Sequence, residues 1–227
     1  LKLNPPSLVI HTSKISKISY PESSYFYGMQ TDKKILVLFF HPRFEDSLAN
    51  STLLRAISAL PHVKVKDMYE LYPDFHVDVK SEQADLEQHD IVLWMHPFYW
   101  YSCPPLMKQW IDLVLEIGWA YGPNGDALKD KWIANVLTSA GSWEAYQKDG
   151  RNRYTYKELL APFDQTAHLC QMEYLPPFVV PAAPRLTQNE LDVFAEKLKS
   201  ILKLLQTTSV DESKMKELNV LNELISD

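Results

Sequence analysis

The sequence predicts an α/β fold, a doubly wound five-stranded parallel sheet with helices on both faces. Three observations predict it. Two unbroken apolar runs, Ile35–Phe40 and Ile91–Met95, have strand length and no polar alternation, as strands covered on both sides do. Strand-like runs and segments of helical period then alternate along the chain, the pattern of parallel strands joined by right-handed crossovers. Finally, 227 residues suit one α/β domain whose core needs neither disulfide nor metal.

Each element has its own justification. Ile35–Phe40 is the first strand. Residues 47–60 place Ala49, Leu53, Ala56, Ile57 and Leu60 on one helical face. Val63–Met68 alternates and reads as a strand nearer an edge. Ser81–His89 reads as a short polar helix, and Ile91–Met95 as the third strand. Pro104-Pro105 opens a helix to about Leu115, since proline is tolerated in a first turn, with Met107, Trp110, Ile111 and Val114 toward the sheet. Lys131–Thr138 is the fourth strand. Residues 139–157 read as a long loop, Glu158–Met172 as a helix with Pro162 near its first turn, and Tyr174–Val180 as an irregular last strand. Thr187-Gln-Asn-Glu190 is a capping box, followed by a stripe of Leu191, Phe194, Leu198, Ile201 and Leu205. Five strands in this order suit the flavodoxin-like arrangement 2-1-3-4-5. The domain is expected over 33–205, with 1–32 a loosely ordered extension and 206–227 a C-terminal tail. Within that tail, Ser213–Ile225 has the spacing of an amphipathic helix.

Composition excludes several functions. Hydrophobic residues are 46% and charged residues 23%, so the chain is not disordered. A net charge of −6 gives no electrostatic case for nucleic acid. The two cysteines, Cys103 and Cys170, read as buried thiols and exclude a four-cysteine metal site. Asp74, His76 and Asp78 alternate like ligands, yet no His-Glu-x-x-His accompanies them, and no metal is expected. With no apolar run of membrane-spanning length and no signal pattern, a reducing cytoplasm is the expected location. There is no Walker A loop, no G-x-G-x-x-G and no G-x-S-x-G elbow.

Ligands of such sheets bind beyond the carboxyl ends of the strands. After the first strand, His41-Pro-Arg-Phe-Glu-Asp-Ser47 leads into a helix whose free N–H groups favour a phosphate. After the third, Pro97 and four consecutive aromatics, Phe98, Tyr99, Trp100 and Tyr101, suit a flat heteroaromatic ring. After the fourth, Thr138-Ser139-Ala140-Gly141 is a turn in which glycine permits close approach.

These motifs carry a resemblance. His41-Pro42 with Ser47 and Asn50, Leu71-Tyr-Pro-Asp-Phe75, and His96-Pro97 through Ser102 resemble the quinone-reductase branch of flavodoxin-like proteins. So do Pro104-Pro105-Leu106, Trp110-Ile111-Asp112, Gly118-Trp-Ala-Tyr-Gly122 and Tyr174-Leu-Pro-Pro-Phe178. That branch includes DT-diaphorase and the bacterial KefF/KefG type, and the match runs from about residue 34 to 205. The resemblance implies a flavin, FMN as in the Kef type or FAD as in DT-diaphorase. His41 and the turn Ser47, Leu48, Ala49, Asn50 would hold its phosphate. Pro97 through Tyr101 would line the ring, and Thr138, Ser139, Ala140 and Gly141 would donate to its polar edge. Tyr146 would take the catalytic position, closing over the substrate. The family turn reads Thr-Thr-Gly-Gly, so a methyl at Ala140 is a departure that would disfavour a positive φ or crowd the ring. The implied activity is two-electron, ping-pong reduction of a quinone or similar electrophile by NAD(P)H, in a homodimer whose aromatic loop Gly118-Trp119-Ala120-Tyr121-Gly122 would reach the partner's flavin. The alternative it implies is an ancillary regulatory subunit of a glutathione-gated potassium-efflux antiporter, placed peripherally on the inner face of the membrane by that partner.

Overall fold

The computed structural model describes residues 32–207, 215 and 217–225; the extension expected over 1–32 falls almost wholly outside the described residues. The sheet is parallel. β1 (Ile35–Phe39) lies between β2 (Val63–Asp67) and β3 (Ile91–Pro97), and β3 pairs with β4 (Trp132–Thr138). The fifth strand is split: β5 (Glu173–Tyr174) and β6 (Phe178–Val180) both pair with β4. Pro176-Pro177 sits between them, because a proline has no N–H to give the ladder. The order is therefore 2-1-3-4-5. Strand order reverses at β1, so a crevice opens between the carboxyl ends of β1 and β3.

Alternate strand residues feed two cores. Ile35, Val37 and Phe39 join Leu93, Met95 and Val136 beneath α1 (Leu48–Ile57) and α7 (Gln188–Gln206). Leu36, Leu38 and Phe40 join Trp94 and Leu137 beneath α3 (Val79–Glu87), α4 (Pro105–Val114) and α6 (Ala161–Leu169). Being buried on both faces, β1, β3 and β4 could only be continuous apolar runs, apart from His96, Asn135 and Thr138 at the end of β4. Ile111 and Phe194 are only partly buried at the rims of their helices' apolar faces.

Several boundaries differ from expectation, each for a local reason. α3 begins at Val79 because the Asp78 side chain accepts the Ser81 N–H as N-cap. A short α2 (Met68–Leu71), capped by Asp67, follows β2 directly. The helix expected from Glu158 starts at Tyr156 and breaks in two. Thr155 and Glu158 form a capping box for α5 (Tyr156–Leu159), the chain turns at Leu160, and Pro162 opens α6. The loop expected over 139–157 holds a 3₁₀ turn at Glu144–Tyr146. Cys170 is buried, but Cys103 is only half-buried. Asp74 accepts the His76 N–H, and Asp78 caps α3.

The C-terminal segment packs on the domain. Met215, Val220 and Leu221 are buried, and Leu221–Leu224 is a 3₁₀ turn. The Asn222 amide pairs with both backbone groups of Val179 at 2.9 Å, finishing the outer side of β6 as another strand would. Residues 213, 214 and 216 of the expected amphipathic helix lie outside the described residues.

Candidate functional site

A cavity of about 500 Å³ opens at the crevice, within the roughly 300–1,000 Å³ usual for small-molecule sites. Three strand ends build it, as the sequence suggests. His41, Ser47, Leu48, Ala49 and Asn50 come from the β1–α1 connection, Pro97, Phe98 and Tyr99 from the end of β3, and Thr138, Ser139 and Ala140 from the end of β4.

The first wall is an anion-binding end. Ser47 is the N-cap of α1, so the Leu48 and Ala49 N–H groups have no intrahelical acceptor. Ser47 Oγ already accepts from the Asn50 N–H at 3.3 Å and the Asn50 amide at 2.8 Å, which leaves its own proton to give. His41 Nδ1 accepts the Arg43 N–H at 3.1 Å, so a neutral ring carries its proton on Nε2. Burial pushes the His41 imidazole down, against the pull of Glu45 and Asp46. Arg43 pairs with Asp46 at 2.5 Å, neutralising the acid at the cavity mouth.

Asn50 occupies the middle. It is 1% exposed, and its Nδ2 bridges Ser47 Oγ and Thr138 Oγ1. Its Oδ1 is buried with no partner among the described residues. An orphan acceptor of this kind costs about 1–3 kcal/mol unless a ligand donates to it. Rotating the amide would replace the orphan acceptor by an orphan donor, so one group stays unspent either way. A ligand with hydroxyls beside an anionic group fits this wall.

Aromatic side chains complete the lining, the Tyr99 ring standing edge-on to His41 with centroids 6.4 Å apart. Phe98 is buried and Tyr99 half-exposed. Trp100 and Tyr101 do not line the cavity. Both have positive φ, 48° and 64°, in a tight turn closed by the Tyr99–Ser102 bridge, and Trp100 is 90% exposed. Gly141 and Tyr146 stand just behind the lining. A Cβ on Gly141 would meet the Tyr146 ring at 2.7 Å, so this glycine serves close packing of the tyrosine. Ala140 has no positive φ and is exposed at the cavity, so its methyl brings no backbone strain. The Tyr146 phenol is pushed up by burial and by Tyr101, with Arg151 opposing, and remains a hydrogen-bond donor at neutral pH.

Two features escaped the sequence reading. Ala183, Pro184 and Leu186 close the cavity from the turn after β6. The strand-end rule, carried on to the fifth strand, finds them. Tyr156 stacks on Tyr146 with ring centroids 4.1 Å apart and bonds Ser139, and no motif marks it. The Gly118–Gly122 loop closes on its own domain, with Trp119 donating to Glu87 at 2.9 Å. Among the described residues no cluster of His, Cys, Asp and Glu could hold a metal, and no helix is long and apolar enough to cross a membrane.

Known proteins share this architecture. A family model described as a flavodoxin-like fold matches residues 33–205. The glutathione-regulated potassium-efflux system ancillary protein KefG of Pectobacterium carotovorum is 44% identical over 163 residues, 72% of this chain and 89% of that one. General stress protein 14 of Treponema denticola, solved in complex with FMN, matches with a TM-score of 0.73 at 35% identity, over 76% of this chain and 99% of that one. An NADPH-quinone reductase of P. pentosaceus matches with a TM-score of 0.68 at 27% identity, over 78% of this chain and 99% of that one.

Proposed function

The chain belongs to the flavodoxin-like fold family and is a homologue of KefG ancillary proteins, and from that premise we propose that it is a flavin-dependent NAD(P)H:quinone oxidoreductase. The observation that carries the reading is the combination of chemistries lining one cavity. Anion donors at the α1 N-terminus, the unspent buried amide of Asn50 and the aromatic side chains of Phe98 and Tyr99 meet there. A phosphate, a polyol and a flat ring are the parts of FMN. The FMN bound to the Treponema structure supports that flavin over FAD.

In this reading Ser47, the Leu48 and Ala49 N–H groups and His41 Nε2–H hold the phosphate. Asn50 Oδ1 accepts a hydroxyl of the chain, and Pro97, Phe98 and Tyr99 orient the ring. The turn Thr138–Gly141 offers N–H donors where charge gathers on reduction. A bound flavin supplies two-electron hydride chemistry, which this chain's own side chains lack. Tyr146, kept protonated, donates a hydrogen bond to an oxygen of the electron acceptor. NAD(P)H and the quinone or other electrophile occupy the same space in turn. The exposed aromatic turn at Trp100 and Tyr101 is the surface a second copy would cover in a homodimer.

A second reading has its own support. The KefG relative is named an ancillary protein of a potassium-efflux system, so this chain is also proposed as the cytoplasmic-side regulatory partner of such an antiporter. Co-purification with a potassium-efflux antiporter would carry that reading; failure to bind detergent-solubilised antiporter would end it.

Uptake of flavin tests the cofactor assignment. The purified protein, incubated with FMN and desalted, is expected to keep one flavin per chain and its visible absorption band. A protein that emerges colourless after both FMN and FAD contradicts the assignment.

A further inference from the structure

We propose that Tyr156 is a positioning residue for the flavin: its buried hydroxyl, donated to Ser139, holds the turn after β4 in the shape that keeps the Gly141 carbonyl turned toward the segment after β6. The inference rests on the flavin reading above and concerns a residue outside the cavity lining.

Counting protons fixes the direction of the bond. Ser139 Oγ lies 3.1 Å from the Gly141 carbonyl and 2.6 Å from the Tyr156 hydroxyl. A carbonyl only accepts, so the single Ser139 proton goes to Gly141, and Tyr156 must donate to Ser139. Burial pushes the Tyr156 phenol up, which keeps that proton in place. The relay thus runs from Tyr156 to Ser139 to the Gly141 carbonyl.

Two backbone bonds complete the clamp. The Ala182 N–H donates to the Gly141 carbonyl at 2.8 Å, and the Ala183 N–H donates to the Ser139 carbonyl at 2.9 Å. Both carbonyls of the turn therefore point toward the segment after β6. Because each peptide is planar and trans, the Ala140 N–H points opposite the Ser139 carbonyl, and the Ser142 N–H opposite the Gly141 carbonyl. Were the Gly141 carbonyl released, its oxygen could swing toward the ring edge and repel the charge that reduction places there. Ser139 is 3% exposed and Tyr156 2%, so no water replaces a lost partner cheaply. The Tyr156 ring also stacks on Tyr146 and lies 5.7 Å from Phe98. The turn, the aromatic wall and the substrate-side tyrosine are thereby referenced to one side chain at the start of α5.

The test is the two-electron midpoint potential of bound FMN, with its dissociation constant, in wild type, Tyr156→Phe, Ser139→Ala and the double variant. Tyr156→Phe keeps the ring stack and removes only the donor. The expected result is about a tenfold loss of preference for reduced over oxidised flavin, a fall of about 30 mV in potential. Ser139→Ala should fall equally, and the double variant no further, because all three break one relay. A merely structural role would lower thermal stability and leave the potential unmoved, which overturns the inference. Additive effects overturn it as well. Should Tyr156→Phe not fold, Ser139→Ala, which deletes a single oxygen, decides the matter by the same potential. A wild type that takes up no flavin refutes the flavin reading itself, a result separate from wild-type potentials in both variants.

Discussion

Protonating His96 should destabilise this protein, and the cost follows from its surroundings. The side chain is fully buried in β3, and burial pushes its imidazole down from 6.5 to about 4. Both ring nitrogens are committed to the neutral form. Nδ1–H donates to the Pro97 carbonyl at 3.0 Å, and Nε2 accepts from the Asn135 amide at 2.9 Å, whose oxygen takes the Tyr174 hydroxyl at 2.5 Å. A folded value below the unfolded one means that the unfolded chain takes the proton first as pH falls. The stabilisation is complete above 6.5 and is lost on descending toward 4. The whole gap, at 1.36 kcal/mol per pH unit, is about 3 kcal/mol, of which about 2 kcal/mol is gone by pH 5. Urea unfolding near pH 7.5 and near pH 5 measures it, in wild type and in His96→Gln, which cannot titrate. The stability lost between the two pH values should be smaller in the variant by about 2 kcal/mol. Equal losses in both proteins would show that His96 is not held neutral, and would refute the reasoning.

Other substitutions probe the frame around the site. Glu82 is fully buried and takes bonds from Lys66, the Tyr72 hydroxyl and Trp110 Nε1, so Lys66→Met strands its charge and should cost about 3–5 kcal/mol in urea unfolding. Lys64→Met, at a half-exposed pair with Asp85, should change stability by less than about 1 kcal/mol; similar losses for the two would contradict this ranking. Asn222→Ala bares the outer edge of β6, and should cost about 1–3 kcal/mol and promote self-association visible by light scattering. A monodisperse variant with an unchanged unfolding midpoint would dismiss that role. Gly141→Ala drives a methyl into the Tyr146 ring and should lower stability by about 1–3 kcal/mol, whereas a neutral effect would show that the ring moves freely.

The strands at the centre were legible because burial on both faces leaves β1 and β3 no alternative to continuous apolar sequence. The three strand ends that line the cavity were legible for a related reason: polar or aromatic residues directly after such runs have no place in the core. Trp100 shows where that logic stops. Its composition suits a ring-binding wall, but two successive positive φ angles turn it outward, and no periodicity encodes them. Glu82 sits in a helix that reads as polar, yet it is buried because Lys66, Tyr72 and Trp110 converge on it from other elements. Tyr156 and Asn222 act through hydrogen bonds to residues distant in sequence, and such pairs leave no pattern along the chain. Pro162 was visible, but whether it opens a helix or interrupts one depended on the capping box of Thr155 and Glu158, which starts a separate helix before it.

The measurement that bears most directly on the proposed activity is anaerobic reduction of the FMN-loaded protein. NADPH or NADH is added and the visible flavin band followed, and a quinone is then supplied. The account predicts that the band bleaches with at least one of the nucleotides and returns on addition of quinone, with one flavin turned over per site. A flavin that stays oxidised with both nucleotides would contradict the reductase assignment and leave a flavin-binding protein that acts through its partner.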